Sequence, residues 1–188
     1  MSLHTTEIEE NTDLDYALDP DLEFYPFNEP EPGSPPGTLL IDAESTVPNI
    51  FLIDYTPHEA IGKQLATPEE CAPYLHSGSV SWIDVQGLGS EDVLQRLGKV
   101  FQIHPLMLED VVNIPQRAKV DEYPEQLLII LHMVTNREDG KGFFSEQVSF
   151  ILGKHYLLTV QEEPETDVFE PVRQRIHKNE GNLASAVH

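Results

Sequence analysis

HPLMLEDVVNIPQRAKVDEYPEQLLIILHMV, residues 104–134, joins a His-Pro step, an acidic pair, a basic patch and an apolar run in one stretch. Pro105 suits the first position of a helix and His104 the residue that positions its start. A helix starting there ends near Val112, which puts Glu109 and Asp110 close to the negative end of its dipole. A bound cation or a basic residue would relieve that cost. Neighbouring helical positions point about 100° apart, so the two carboxylates cannot grip one ion together. By local chemistry alone the pair reads as solvated surface, and the basic residues of QRAK offset nearby acids and cover the strand that follows.

That strand begins a meander. EQLLIILHMVT, FFSEQVSFIL and KHYLLTVQE are strand-like and are joined by NREDGKG and a tight GK turn. The first is apolar on both faces, which predicts layers on both sides of its sheet. Upstream, Thr38 to Asp42, Ile50 to Thr56 and Ser79 to Gln86 are rich in β-formers and bounded by Pro, Gly or Asn. TPEECAPYL predicts a short helix with Thr67 as cap and Pro68 at its first position. GSEDVLQRLGKVF predicts an amphipathic helix capped by Ser90, with Val93, Leu94, Leu97, Val100 and Phe101 on one face. DVFEPVRQRIHKN predicts another, built on Val168, Phe169, Val172 and Ile176. The fold class that follows is α/β: a three-layer α/β/α sandwich around a mixed, partly antiparallel β-sheet. Trp82 is expected beneath a helix, and His132 and His155 in hydrogen-bonded strand positions.

The chain has 188 residues, 33 acidic against 11 basic, and a formal charge of −22, which makes nucleic acid a poor partner and leaves cations or basic partners. Residues 1–37 contain no Lys or Arg and many acids and prolines, predicting a disordered acidic arm. Residues 38–178 form the expected domain, and 179–188 a disordered tail or the truncated start of a further helix. The single cysteine, Cys71, cannot form an internal disulfide, and no leader opens the sequence; both fit a reducing, cytosolic setting. The apolar run from Leu127 to Val134 is too short for a membrane helix, which needs about 20 residues. The chain contains no P-loop, HExxH, paired CxxC or EF-hand loop, GLG in QGLGSED is too short for a dinucleotide fingerprint, and no nucleophile stands out, so no enzymatic activity is expected.

HPLMLEDVVN followed by QRAKVDEY and LLIILHMV closely resembles the cytoplasmic domain of CorA-type magnesium transporters. SWIDVQGLGSEDVLQRLGKVFQIHPL, SEQVSFILGKHYLLTVQE and DVFEPVRQRI extend the resemblance over roughly Thr38 to Lys178. One departure is Ala118, where the family commonly has proline between Arg and Lys. The family continues into a stalk helix, two membrane helices and a Gly-Met-Asn loop, which are not in this sequence, so the resemblance implies an isolated soluble portion of a transporter on the cytoplasmic side of the cell membrane. It further implies a homopentameric funnel in the full-length protein, membrane attachment through the absent C-terminal helices, and weak regulatory Mg2+ bound between subunits. Asp110, and with it Glu109, is the implied metal residue, its partner carboxylates coming from the stalk. Transport of Mg2+ and possibly Co2+ is the implied activity. A Zn2+ or Ni2+ transporter of the same superfamily and a free-standing soluble binding module are the alternatives.

Overall fold

The computed structural model describes residues 32–56, 58–136, 142–162, 164 and 167–177. Most of the acidic arm, most of the NREDGKG connection and the tail from 178 onward lie outside the described residues. Seven strands form one sheet: β1 (Asn49–Tyr55), β2 (Ala60–Leu65), β3 (Val80–Gln86), β4 (Lys119–Tyr123), β5 (Gln126–Asn136), β6 (Phe143–Leu152) and β7 (Tyr156–Gln161). Their order is β2-β1-β3-β7-β6-β5-β4. Every neighbouring pair is antiparallel except β3 and β7, which run parallel with Trp82 opposite Leu157. The sheet is therefore mixed and partly antiparallel, as the meander pattern requires.

One face of the sheet carries the main core. Ile50, Leu52, Ile83, Val85, Leu128, Ile130, Ile151 and Leu158 pack there with a 3-10 helix (Pro68–Tyr74), α1 (Glu91–Val100) and α2 (Pro105–Val112). The caps are those the sequence predicts. Ser90 Oγ accepts from Val93 N at 3.4 Å, and His104 Nδ1 accepts from Leu106 N at 3.2 Å. Glu70 Oε1 accepts from the backbone N–H of Ala66 and Thr67, each at 3.0 Å, closing the start of the 3-10 helix. The glycines of QGLGS serve a packing purpose. Gly89 N donates to Thr46 O at 2.7 Å, and a Cβ on Gly89 would lie 2.1 Å from Ser45 O.

The other face carries α3 (Glu170–His177), which makes the molecule the expected α/β/α sandwich. Phe169, just before α3, sits edge-on to Trp82 at 5.7 Å and to Phe150 at 5.9 Å. Trp82 is thus the expected anchor, with its indole N–H donating to Thr159 Oγ1 at 2.9 Å. Beside it this face turns polar. Asp84, only 2% exposed, accepts from Arg173 Nη1 at 2.6 Å, Thr159 Oγ1 at 2.6 Å, Gln161 Nε2 at 2.9 Å and Gln86 Nε2 at 3.0 Å. Arg173 also pairs with Asp167 and, at 3.1 Å, with Glu170.

Several expectations are corrected. Thr38 to Asp42 is not a strand; Leu39 and Ile41 pack on the core without joining the ladder. β2 and β4 are strands without a strand-like pattern in the sequence. His155 lies in the turn before β7, and only its carbonyl meets the sheet, accepting from Ser81 N at 3.0 Å. β5 is buried on one face only: Leu128 and Ile130 are inaccessible, whereas Leu131 is 43% exposed. The reason is the reach of the α3 segment: α3 lies over β2 and reaches Asp84 on β3 through Arg173, Phe169 before it covers Trp82 and Phe150, and Val120 on β4 and Leu152 on β6 are left open as well.

Burial raises the Asp84 carboxyl above its ordinary range, although the hydrogen bond from Thr159 and the charge of Arg173 oppose this. The folded state then holds that proton more tightly than the unfolded chain, so this group's contribution to stability falls as pH rises from the ordinary aspartate value through the raised one. Arg173→Met strands the buried charge and is expected to cost about 3 kcal/mol or more in urea unfolding at neutral pH. The loss should be smaller at about pH 5 than at about pH 8, because protonated Asp84 no longer needs the partner. An equal loss at both would show that the pair's charge is not what holds α3.

Candidate functional site

Glu109 and Asp110 lie on the outer side of α2, whose Met107, Leu108, Val111 and Val112 are buried in the core. The helix stops at Asn113, whose N–H donates to Glu109 O at 2.8 Å. The chain then reverses under the control of a buried side chain of β6. Gln147 Oε1 accepts from Gln116 N at 2.6 Å, and its Nε2 donates to Asp110 O at 3.3 Å. His132 Nε2 completes the clamp against Gln116 O at 2.8 Å, the hydrogen-bonded role expected of it. The reversal delivers β4 beside α2, and side-chain alternation aims Lys119, Asp121 and Tyr123 to the same side.

The two carboxylates point to different places, as their helical spacing dictates. Glu109 Oε2 accepts from Gly37 N at 2.6 Å. Gly37 adopts φ +86°, and a Cβ there would lie 2.8 Å from Pro105 Cβ, so glycine permits this approach. Asp110 Oδ2 instead meets Lys119 Nζ at 2.8 Å, and the same ammonium meets Asp121 Oδ2 at 3.1 Å. The basic patch therefore does offset a local acid, through Lys119. All three side chains are partly exposed.

The electrostatics agree with the distances. Partial burial pulls the Lys119 pKa down, but the hydrogen bonds and charges of Asp110 and Asp121 outweigh it and leave it raised, so the ammonium stays charged. Tyr123 is raised by burial first and by the charges of Asp110 and Asp121 next. The carboxylate oxygens of Asp110 and Asp121 are hard donors, which suit an ion such as Mg2+ better than zinc. Among the described residues no group of three or more His, Cys, Asp or Glu is placed to hold a metal. Cys71 is buried away from this site with its thiol pushed up to about 12, chiefly by desolvation.

Residues 77–187, more than half of the chain, match the model of the CorA-like Mg2+ transporter protein family. The chain belongs to this family. This CorA-family chain is 39% identical over 150 residues to the cobalt/magnesium transport protein CorA of Thermotoga maritima, an alignment covering 79% of the chain and 42% of the relative. The chain thus spans about two fifths of that relative's length. Among solved structures it resembles the full-length CmaX protein, with a TM-score of 0.56, 11% identity and coverage of 74% of this chain and 41% of the other. It also resembles the ZntB cytoplasmic domain of Vibrio parahaemolyticus, with a TM-score of 0.55, 13% identity and coverage of 71% and 51%. At these identities the two structures speak for the fold alone. Among the described residues no helix is long and apolar enough to cross a membrane.

Sequence reasoning missed Asp121, Gly37 and Asn113 as parts of this neighbourhood. Asn113 holds the segment before β1 as a neighbouring strand would: Leu40 N donates to its Oδ1 at 2.9 Å, and its Nδ2 donates to Thr38 O at 3.2 Å. Asn113 is buried, so Asn113→Ala is expected to cost about 1 to 3 kcal/mol and to speed amide hydrogen exchange at Leu40 and Gly37. Unchanged exchange at Leu40 would show that the segment is held by its apolar contacts instead.

Proposed function

We propose that this chain is the regulatory domain of a divalent-cation transporter, lying on the cytoplasmic side of the membrane and sensing Mg2+ between subunits of a homo-oligomer, a pentamer in the full-length protein. The observation that carries the reading is the 39% identity to a relative named for cobalt and magnesium transport. Asp110 is the residue through which this domain reaches the ion. Glu109, held by Gly37, acts as a nearby negative charge rather than a chelating partner.

Mg2+ sheds water reluctantly and is usually held by one or two carboxylates, so a weak site shared between subunits suits its chemistry. An ion between facing carboxylates screens their repulsion and favours the closed assembly; without it the like charges loosen the contact. Closure requires that the ion bind the closed state more tightly than the open one. Low internal Mg2+ then favours an open pore. The transported ion is Mg2+, with Co2+ also accepted. A zinc transporter is the second reading, favoured by the likeness of the fold to the ZntB domain and disfavoured by the hard carboxylate oxygens of Asp110 and Asp121.

Asp110→Asn in the full-length transporter, reconstituted in vesicles and followed with a Mg2+-sensitive dye, should weaken closure by internal Mg2+ and leave flux high at levels that shut the wild type. Unchanged closure would remove Asp110 from the sensing role.

A further inference from the structure

The Lys119 ammonium lies where a cation between Asp110 and Asp121 would lie, 2.8 Å from one carboxylate and 3.1 Å from the other. We propose that Lys119 is a tethered counter-cation that a divalent ion must displace to engage Asp110, so that this lysine sets the concentration at which the domain responds. The proposal rests on the reading of Asp110 as a metal residue and adds its regulation.

Three features of the site carry the idea. First, with Lys119 in place the trio of charges sums to −1, and the field that would draw a divalent ion is largely spent on the ammonium. Second, the two carboxylate oxygens can be no more than about 6 Å apart, given their distances to the shared nitrogen. Two carboxylates that close, freed of the lysine, would repel each other and draw a partly hydrated Mg2+ to this subunit's side of the shared site. Third, displacement is structurally open. β4 is the edge strand of the sheet, and the Lys119 side chain is 29% exposed, so it can swing to solvent without disturbing the ladder to β5.

An intramolecular competitor also shapes selectivity. A monovalent ion that replaces one ammonium gains nothing in charge, whereas a divalent ion neutralises both carboxylates. The lysine thus raises the threshold for Mg2+ and excludes K+ and Na+ in one arrangement.

The test is an NMR titration of the 188-residue chain with MgCl2 at fixed ionic strength, following the amides of residues 108–123 in wild type, Lys119→Gln, Lys119→Arg and Asp110→Asn/Lys119→Gln. Lys119→Gln should lower the half-saturating Mg2+ concentration by about tenfold or more, the effect of removing one charge at hydrogen-bond distance near a protein surface. Lys119→Arg should stay within about twofold of wild type, because the charge remains. The double variant should lose the response. Unchanged or weaker affinity in Lys119→Gln, with the response still lost in the double variant, would overturn the lysine's role and keep Asp110 as a ligand. A response retained in the double variant would overturn the Asp110 reading itself. No saturable shift in either wild type or Lys119→Gln would overturn the proposal, since the freed carboxylates would then not take the ion.

Discussion

A buried carboxylate that must be matched by a cation organises the second half of this molecule. Asp84 stands on a central strand with 2% exposure, and an isolated charge there would be prohibitive. Its cation comes from Arg173, 89 positions later in the chain, at 2.6 Å. That single contact fixes several others. β7 must lie parallel beside β3 so that Thr159 and Gln161 reach the remaining lone pairs, and α3 must cross the face on which Trp82 and Phe150 receive Phe169. The opposite face needs no such device. It is an ordinary apolar core in which α1 and α2 cover Ile83, Leu128, Ile130 and Leu158.

The division between the faces sets what the domain can present to others. On the apolar side, α2 is held rigidly by four buried side chains and capped at both ends, so its outward residues are fixed in place. The reversal pinned by Gln147 then lays β4 against that outward side, and a lysine arrives between two carboxylates. A charged triad at the edge of a sheet is accessible and adjustable in a way that the Asp84 cluster is not. Among the described residues the Asp84 cluster and the Lys119 triad are thus ion-paired sites of opposite character, one buried and structural, the other partly exposed to solvent.

What the sequence reveals follows the strength of its local signals. Ser90, His104-Pro105 and Thr67-Pro68 mark helix starts because a cap acts within three residues, and the apolar strands of the meander announce themselves by burial. β2 and β4 were missed because edge strands keep their side chains largely in solvent: AIGKQL and KVDEY carry little apolar alternation. Thr38 to Asp42 misled in the other direction. Its Leu39 and Ile41 do pack, partly buried, against the core, but a side chain, Asn113, takes the place of the missing ladder. Apolar content on both sides of β5 suggested two covered faces, and only packing decides that. At the site, local pattern reads Glu109 and Asp110 as solvated surface and QRAK as a basic offset, and only the family resemblance singles out Asp110. That Lys119 supplies the offset, with Asp121 on its far side, depended on a turn whose geometry comes from β6. Asp84 with Arg173 was out of reach for the same reason, since no local pattern links positions so far apart.

The central claim, that this CorA-family domain meets a divalent ion at Asp110, is tested most directly by paramagnetic line broadening with millimolar Mn2+ as a stand-in for Mg2+. Loss of amide signals centred on Asp110 and Asp121, reversed by excess Mg2+, is the expected result. Broadening centred elsewhere on the described surface, or spread evenly over the acidic residues, would contradict it.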